Sequence, residues 1–322
     1  MSEDLTEFFY ALTPERVLDA IELEGDRCTG RFIVLNSYEN RVYQLELEDS
    51  SFVVAKFYRP GRWTDDAILD EHEFLLELDE QEIPVTPPRF LNNGETLGEI
   101  EGIRYSVCNR IGGRAPDEMD DEQLRQFGRT LARIHSVGRR SDALARIELD
   151  PDTLLADNLD FLLDNDLLPL GFRSAYEDTV NEIFTRVAPM FDDVDFQRIH
   201  GDCHLGNILR SPGALVFLDF DDMAMGPVVQ DMWLMIGGRD AWAERRRGLI
   251  LEGYETMGSF DRSTLRLIEP LRAMRYVHYT TWLARRWADP AFKLGFPGFG
   301  TDQWWNQALR DVGEQLELVR EL

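Results

Sequence analysis

The first hundred residues alternate short apolar segments in the way that a small β-sheet does. Three runs rich in β-branched and aromatic residues follow one another, RFIVLNS, NRVYQLELE and SFVVAKFYRP, and EDSS forms a turn between the last two. Two more strand-like runs are predicted near RFLN and GIRYSVCNR. This pattern predicts a small antiparallel sheet.

Two helices are predicted beside this sheet. The first covers 14–24, where Thr13 can cap the start and Gly25 ends the helix. The second covers about 65–80 and follows a cap at Thr64. Its apolar residues are Ile68, Leu69, Phe74, Leu75 and Leu78. We expect this longer helix to lie against the sheet.

Beyond the stretch IGGRAP, the pattern becomes mainly helical. The residues Leu124, Phe127, Leu131 and Ile134 recur at spacings of three and four, which indicates one buried helix face. Further helices are predicted over about 173–191, 228–236, 241–258 and 263–287. One hairpin interrupts them, formed by NILR, the turn SPGA and LVFLDF. The pattern therefore predicts an α+β fold of two lobes, with a sheet-bearing lobe over 1–110 and a helical lobe over 111–322.

Composition and charge exclude several classes of protein. A hydrophobic content of 43% with 29% charged residues is typical of a globular protein with a sizeable core. The formal net charge of −26 argues against nucleic-acid binding, because phosphates would be repelled. It favours a solvated acidic surface, with a cationic substrate as the alternative.

The compartment can also be predicted from the sequence. No apolar run approaches the length of a membrane span, and the acidic start MSEDLTEFFY is unlike a signal peptide. Three widely spaced cysteines indicate reduced thiols rather than a disulfide framework. We expect a cytoplasmic monomer that binds neither nucleic acid nor membrane.

The stretch RIHGDCHLGNIL, residues 198–209, concentrates side chains that bind metals or move protons. A transition-metal site could use His200, Asp202 and His204, but the glycines suggest a bent loop, and the remaining histidines show no ligand pattern. A nucleophilic Cys203 would need a base and an orienting partner, and no catalytic cysteine signature surrounds it. Both readings are disfavoured.

Spacing favours a third reading, phosphoryl transfer. The order His-x-Asp-x4-Asn matches a kinase catalytic loop, in which Asp202 orients the acceptor hydroxyl and Asn207 holds magnesium. This chemistry needs another metal ligand across the hairpin, and Asp219 ends the strand LVFLDF. Asp221 and Asp222 add negative charge, and Asp222 is interpreted as part of a solvated turn.

A phosphate-binding lysine is predicted in the sheet-bearing lobe. VVAKF places Lys56 inside an apolar strand, as in the V-A-I-K pattern of kinases. The following helix offers Glu71 as its partner, with Glu73 as the second choice. Each feature is weak alone, but together they occur in the order and on the element types that phosphoryl transfer requires.

At these residues the chain resembles the aminoglycoside/choline phosphotransferase branch of the protein-kinase-like superfamily. HGDCHLGNIL is similar to its H-G-D-x-H-x-x-N loop and FLDFDD to its magnesium segment. Longer segments resemble a group of bacterial stress-response serine/threonine protein kinases over roughly residues 30–300, namely LNSYENRVYQ, VAKFYRPGRWTDD, GPVVQDMW, EPLRAMR and RRWADPAF. The resemblance implies a two-lobed kinase-like fold that uses ATP and Mg2+.

The resemblance also implies roles for individual residues. It makes Asp202 and Asp219 catalytic, and Asn207 and Asp219 the magnesium ligands. Ser37, Lys56 and Glu71 would form the nucleotide-phosphate site, and the adenine would lie near 107–111. The segment NSYENR stands where other kinases have a glycine-rich loop but contains no glycine, so Ser37 or Asn40 would donate instead. Asp231 resembles an acid that braces the catalytic loop; a helix N-terminal acid is the alternative.

Three acceptor hypotheses follow. The first is a serine or threonine hydroxyl of a protein, including this chain in autophosphorylation. The second is an amine-bearing alcohol such as an aminoglycoside or choline. The third, a non-catalytic pseudokinase, is disfavoured because the catalytic set is intact. AMRYVHYTTWLARRWADPAF and GFPGFGTDQWW are interpreted as packing surface; alternatively, Arg285 and Arg286 of an acceptor-side wall would face phosphate or an acidic peptide.

Overall fold

The N-terminal part is built on one five-stranded antiparallel sheet. The computed structural model describes residues 12–35 and 37–322, so the segment MSEDLTEFFY and Asn36 lie outside the described residues. The strands are β1 (Cys28–Leu35), β2 (Arg41–Leu47), β3 (Phe52–Phe57), β4 (Gly98–Ile100) and β5 (Ile103–Asn109). Their order in the sheet is β1-β2-β3-β5-β4, and every pair is antiparallel.

The alternation of side chains along β3 places Lys56 on the face of the sheet opposite its hydrophobic core. Val53, Ala55 and Phe57 of β3 are buried in the hydrophobic core of the sheet. Because successive side chains point to opposite faces, Lys56 lies on the other face. Lys56 pairs in register with Ser106 of β5, so it stands at the centre of the sheet.

The prediction of a strand at RFLN was wrong. The chain there forms a turn in which Leu91 N–H donates to the Glu95 carbonyl at 2.7 Å and Asn93 Oδ1 accepts from Glu95 N–H at 2.9 Å. Asn92 Nδ2 also donates to the Leu23 carbonyl at 2.8 Å. These polar side chains bind backbone groups that a strand would need, and the strand forms later, as β4.

Two helices flank the sheet and pack in different places. They are α1 (Pro14–Leu23) and α2 (Asp65–Glu80), with the predicted caps at Thr13 and Thr64 in place. The apolar residues of α1 pack into the sheet core, whereas those of α2 pack into the core of the helical lobe. The residues of α2 in that core are Phe74, Leu75 and Leu78. The longer helix therefore lies between the lobes and meets the sheet through polar side chains.

The second lobe is mainly helical, as predicted. Its helices are α3 (Asp121–Gly138), α4 (Asp157–Asp164, preceded by a π turn over Asp152–Ala156), α5 (Leu170–Val187), α6 (Gln230–Ile236), α7 (Ala241–Tyr254), α8 (Ile268–Arg286), α9 (Pro290–Gly295) and α10 (Asp302–Arg320). Short 3-10 turns cover Ala188–Met190, Leu205–Asn207, Phe220–Asp222 and Arg262–Leu267. The helices α4, α9 and α10 were not predicted, and the first turn predicted for α8 is the last of these 3-10 turns.

Two small hairpin-like sheets hold the loops of interest in the helical lobe. One pairs β6 (Gln197–Ile199) with β9 (Ala224–Gly226), and the other pairs β7 (Ile208–Ser211) with β8 (Ala214–Phe217). The second is the predicted hairpin. Across residues 12–35 and 37–322, no helix combines the length and apolar character that a membrane crossing requires.

Candidate active site

A buried carboxylate holds the loop that follows β6. The Asp231 side chain is fully buried at the start of α6 and accepts the backbone N–H of His200 at 2.7 Å and of Gly201 at 2.8 Å. His135 Nε2 of α3 lies 3.1 Å from Asp231 Oδ2. A carboxylate that accepts several such bonds fixes the backbone it binds. Asp231 thus braces the loop through its amides, and its burial contradicts the interpretation of a simple helix-end acid.

The loop is also joined to the strand end that carries Asp219. His200 Nε2 donates to the Leu218 carbonyl at 2.8 Å, so its side chain supports the loop. Gly201 adopts φ +85°, and a Cβ there would meet the Asp222 carbonyl oxygen at 2.0 Å. The two segments therefore approach so closely that only glycine fits between them.

Asp202 lies between a histidine and an arginine. Its Oδ2 is 3.3 Å from His204 Nε2, and its Oδ1 is 3.0 Å from Nη1 of Arg275 on α8. His204 Nδ1 accepts the Gly206 N–H, which leaves the ring proton on Nε2 to donate to Asp202. Although burial alone would raise it, the His204 hydrogen bond and the Arg275 charge hold the pKa of Asp202 well below its ordinary value. The lowered pKa favours the ionised form of Asp202.

Asn207 and Asp219 offer the oxygen atoms that a hard divalent cation prefers. Asn207 Nδ2 donates to the Asp202 carbonyl at 3.0 Å, so its amide oxygen is the end left for a ligand. Asp219 has left-handed backbone angles, φ 58° and ψ 68°, and its side chain is 55% exposed. These two oxygen donors suit a hard divalent cation such as Mg2+, which Asn207 and Asp219 would hold.

The two other interpretations of the loop concern a transition-metal site and a nucleophilic Cys203. Within the described ranges, no group of three or more His, Cys, Asp or Glu side chains is arranged to hold a metal. Cys203 is fully buried, and burial raises the pKa of its thiol well above the ordinary value. A buried, protonated thiol is a poor nucleophile, which argues against a catalytic role for Cys203.

Lys56 stands between carboxylates from both lobes. Its Nζ is 2.9 Å from Glu71 Oε1 on α2, 2.8 Å from Asp221 Oδ1 and 3.9 Å from Asp219 Oδ1. Burial opposes the charge, but Asp221 and Glu71 outweigh it and hold the pKa of Lys56 well above the ordinary value. Glu73, the second choice for this pair, is exposed on the outer side of the helix.

Two arginines that sequence reasoning missed complete this cluster. Arg146 is buried and donates to Glu71 Oε2 at 3.0 Å and to the Asp221 carbonyl at 2.6 Å. Arg62, only 8% exposed, pairs with both Asp221 and Asp222. Asp222, interpreted as part of a solvated turn, lies in the 3-10 turn Phe220–Asp222 with its side chain 50% exposed, and its carboxylate also pairs with Arg62. Both arginines are isolated in sequence, so periodicity gave no signal of their position.

The turn between β1 and β2 reaches across to the helical lobe. Glu39 lies in this turn with its side chain 12% exposed; its Oε1 is 2.6 Å from Arg286 Nε and accepts from Trp282 Nε1, both on α8. Burial raises and the charges of Arg62, Arg286 and Arg59 lower the pKa of Glu39, and the net effect is a lowered pKa. This set of contacts from Glu39 to Arg286 and Trp282, which we call the latch, was not predicted.

Ser37 lies in the same turn but is occupied locally. Its Oγ accepts the Asn40 N–H at 3.2 Å, and Asn40 Oδ1 accepts the Arg59 N–H at 3.1 Å. Both side chains thus shape the turn that replaces a glycine-rich loop. The structure places Lys56 in contact with Glu71 and Asp219 and joins Asp202 to Asn207, whereas Ser37 makes no hydrogen bond to any of these five residues in the described part of the chain.

Comparisons with known proteins agree with this geometry. The family model described as "Phosphotransferase enzyme family" matches residues 32–268. The chain is 39% identical to "Stress response kinase A" of Escherichia coli O157:H7 over 314 residues, 97% of this chain and 95% of that protein. It is 38% identical, with the same coverage, to "Serine/threonine protein kinase RdoA" of Salmonella typhimurium strain LT2.

Solved structures share the fold at lower identity. An amicoumacin kinase in complex with AMP-PNP and Ca2+ superposes with a TM-score of 0.78 at 18% identity, covering 99% of this chain and 96% of that one. A microcompartment-associated aminopropanol kinase gives a TM-score of 0.71 at 14% identity, covering 96% and 97%. Both likenesses support the two-lobed kinase-like fold that the sequence predicted.

Proposed function

Since the chain belongs to the phosphotransferase enzyme family and is a kinase, we propose that it is an ATP-dependent serine/threonine protein kinase of a bacterial stress response. The observation that carries this proposal is the identity of 38–39% along 97% of the chain with relatives whose names state a stress-response kinase and a serine/threonine protein kinase. The structures of small-molecule kinases are similar at 18% identity or less, which supports the fold alone.

In the proposed reaction Asp202 accepts a hydrogen bond from the acceptor hydroxyl and aims its oxygen at the γ-phosphorus of ATP. The new O–P bond forms as the bond to the β-phosphate oxygen breaks, ADP leaves, and the hydroxyl proton passes to Asp202. A carboxylate with a lowered pKa is a weak base, which suits a loose transition state that needs orientation more than early proton removal.

Lys56 would bind the transferring and leaving phosphates, held in place by Glu71. Asn207 and Asp219 would hold Mg2+, which when bound neutralises charge on the phosphate oxygens. Ser37 would contribute the turn over the phosphates, with the adenine near 107–111. Lys56 and Arg62 both pair with the carboxylate of Asp221. When ATP binds, its phosphates would replace this carboxylate as the partner of the two cations.

The remaining expectations are proposals of the same standing. We propose two lobes divided near residue 110, a monomer, and a cytoplasmic location that the free thiols Cys28, Cys108 and Cys203 support. The latch at Glu39 would then join the lobes across the nucleotide cleft.

The test is incubation of the full chain with labelled ATP and magnesium in three arms. The acceptors are a generic protein mixture, choline and an aminoglycoside, and a sample without acceptor reports autophosphorylation. Label on protein is the expected result. Label on a small molecule alone would replace the proposal with a small-molecule kinase, and no label in any arm would overturn kinase activity under these conditions. Chelation of magnesium with EDTA is the matched control and should abolish all transfer.

A further inference from the structure

Helix α8 contacts both Asp202 and the turn between β1 and β2. Near its middle Arg275 contacts Asp202, and eleven residues later Arg286 contacts Glu39 of the β1–β2 turn. At about 1.5 Å per residue these two contacts are about 16 Å apart along the helix. Three exposed residues of α8 lie along this stretch, Arg275, Tyr279 and Arg285, and we call them the acceptor wall.

The charge of this helix is opposite to that of the chain. The stretch 270–288 contains four arginines and no acidic residue, although the chain has 60 acidic and 34 basic residues. Two of the four have structural partners: Arg272 pairs with Glu269, and Arg286 with Glu39. The other two arginines belong to the acceptor wall.

Arg275 and Arg285 are the cations that an acceptor would meet. Arg275 is 44% exposed, and its carboxylate partner is Asp202 itself. Arg285 is exposed, stacks over the Phe161 ring at 3.9 Å and makes no ion pair in the described part of the chain. Both guanidinium groups, with Arg286 and Arg62, add to burial in lowering the pKa of His278, so they lie around one region of α8.

An amine-bearing acceptor does not fit this wall. Its ammonium group would lie beside Arg275 as its hydroxyl reached Asp202, and like charges would repel. The carboxylates of Asp222 and Asp221 are paired with Arg62 and Lys56. An acceptor with an anionic group beside its hydroxyl would instead gain a charge-assisted hydrogen bond from a guanidinium.

We propose that the acceptor wall recognises an acidic protein segment, with Arg275 binding a carboxylate next to the acceptor serine or threonine and Arg285 binding one farther along. This inference rests on the proposed protein-kinase function and names its substrate class. Ten residues of helix separate the two arginines by about 15 Å, which an extended peptide spans in about four to five residues. The net charge of −26 does not oppose this pairing, because a Debye length of about 8 Å at physiological salt screens distant carboxylates.

The test uses three serine peptides of equal length whose flanking positions, one and about five residues from the serine on either side, carry Glu, Gln or Lys. Transfer is measured as kcat/KM with magnesium and ATP. Binding is measured independently by fluorescence anisotropy of the labelled peptides with magnesium and a non-hydrolysable ATP analogue. We expect kcat/KM and affinity at least about tenfold higher for the Glu peptide than for the Gln peptide, with the Lys peptide weakest.

Charge reversal locates the effect. Arg285→Glu should remove most of the preference for Glu at the distant position through KM, and Arg285→Lys should restore part of it. Arg275→Glu should reverse the preference at the adjacent position while the KM for ATP stays within about twofold. Arg245→Glu, an equal change of charge on α7, is the matched control and should leave the peptide order unchanged.

The outcomes separate this inference from the proposed function. Equal binding of the three peptides, tighter binding of the Lys peptide, or a higher kcat/KM for choline or an aminoglycoside would overturn the acidic-segment inference. Preferential binding of the Glu peptide without any transfer would support the acceptor wall and overturn the protein-kinase function. An unchanged preference in both reversed variants would assign the selectivity elsewhere and overturn the roles of Arg275 and Arg285.

Discussion

The two sides of the cleft balance charge in different ways. On the phosphate side, defined by Lys56, Glu71, Asn207, Asp219 and Asp221, the cation Lys56 is shared among carboxylates from both lobes. On the acceptor wall the arginines outnumber their partners, and the one carboxylate in contact is Asp202, which stands where the two sides meet.

This difference indicates what each side binds. On the phosphate side the cation and the carboxylates are already paired with one another. They would change partners when the nucleotide phosphates and a metal bind, so this side suits a ligand whose charge is always the same. An open excess of guanidinium groups selects among acceptors by their charge. The phosphate side would therefore be common to many kinases of this fold, and the acceptor wall would distinguish this one.

The largest expected effect comes from removing the charge where the two sides meet. Asp202→Asn keeps the size of the side chain but cannot accept the hydroxyl proton, so transfer should fall by about 10³-fold or more. ATP affinity, measured by titration calorimetry with magnesium, should change little. Turnover within tenfold of the parent would contradict the role of Asp202.

The next largest effect is expected from Asp231, which holds the loop that carries Asp202 and Asn207. Asp231→Asn leaves one of the two loop amides facing an NH2 group, so we expect a loss of roughly 2–4 kcal/mol in the free energy of unfolding and at least a tenfold lower kcat. Urea denaturation and steady-state kinetics measure the two effects. Asp240→Asn is the control, because Asp240 caps α7 through one amide and Asn is an equally good cap. Equal stability losses in the two variants would refute the bracing role.

The phosphate side can be altered alone. Glu71→Gln removes the carboxylate charge that Lys56 and Arg146 share, and we expect kcat/KM for ATP to fall about 10- to 100-fold. The relative preference among peptides should stay the same, since the acceptor wall is untouched. Glu73→Gln lies on the exposed side of the same helix and should match the parent. A comparable loss in both variants would argue against the Lys56–Glu71 pair.

The smallest effect concerns stability against pH in the helix of the phosphate side. Burial, together with the charges of Lys56 and Arg146 and against that of Glu71, lowers the pKa of His72 to about 4. The neutral ring lies between Tyr58 and Thr96, at 2.8 Å and 2.7 Å.

Because the unfolded chain binds this proton near pH 6.5 and the folded chain does not, stability is complete above pH 6.5 and declines as the pH falls towards 4. The loss from His72 at pH 5 is about 2 kcal/mol. His72→Gln should flatten this part of the unfolding free energy measured in urea between pH 7 and pH 5. An identical slope in parent and variant would show that His72 is not the group responsible.

Much of the fold was predictable because the local signals agreed with the packing. Thr13 and Thr64 cap α1 and α2 as expected, and the hairpin of β7 and β8 follows its turn sequence. The failures have local causes as well. At RFLN polar side chains bind the backbone that a strand would use. The helix α10 was not predicted, and only its first residues, 302–305, belong to a segment interpreted as packing surface.

The candidate site divides in the same way. Lys56, Glu71, Asp202, Asn207 and Asp219 were chosen from spacing and order, and the structure places them in contact in two linked groups. Their roles stay predictions until the variants above are measured. The buried arginines and Glu39 could not be chosen, because their partners lie far away in sequence. Arg59, for example, meets Asp289 at a separation of 230 residues.

The sequence by itself predicted the candidate site residues of this protein. The local spacing of Asp202, Asn207 and Asp219, and the position of Lys56 in an apolar strand, were enough to select them. Only the tertiary structure decided the charge of the acceptor side, because α8 meets Asp202 through a single contact 73 residues along the chain. The four arginines of this helix bear on specificity only because folding places one of them, Arg275, beside Asp202, the proposed catalytic carboxylate. In an overall acidic chain, that placement decides which charge an acceptor meets.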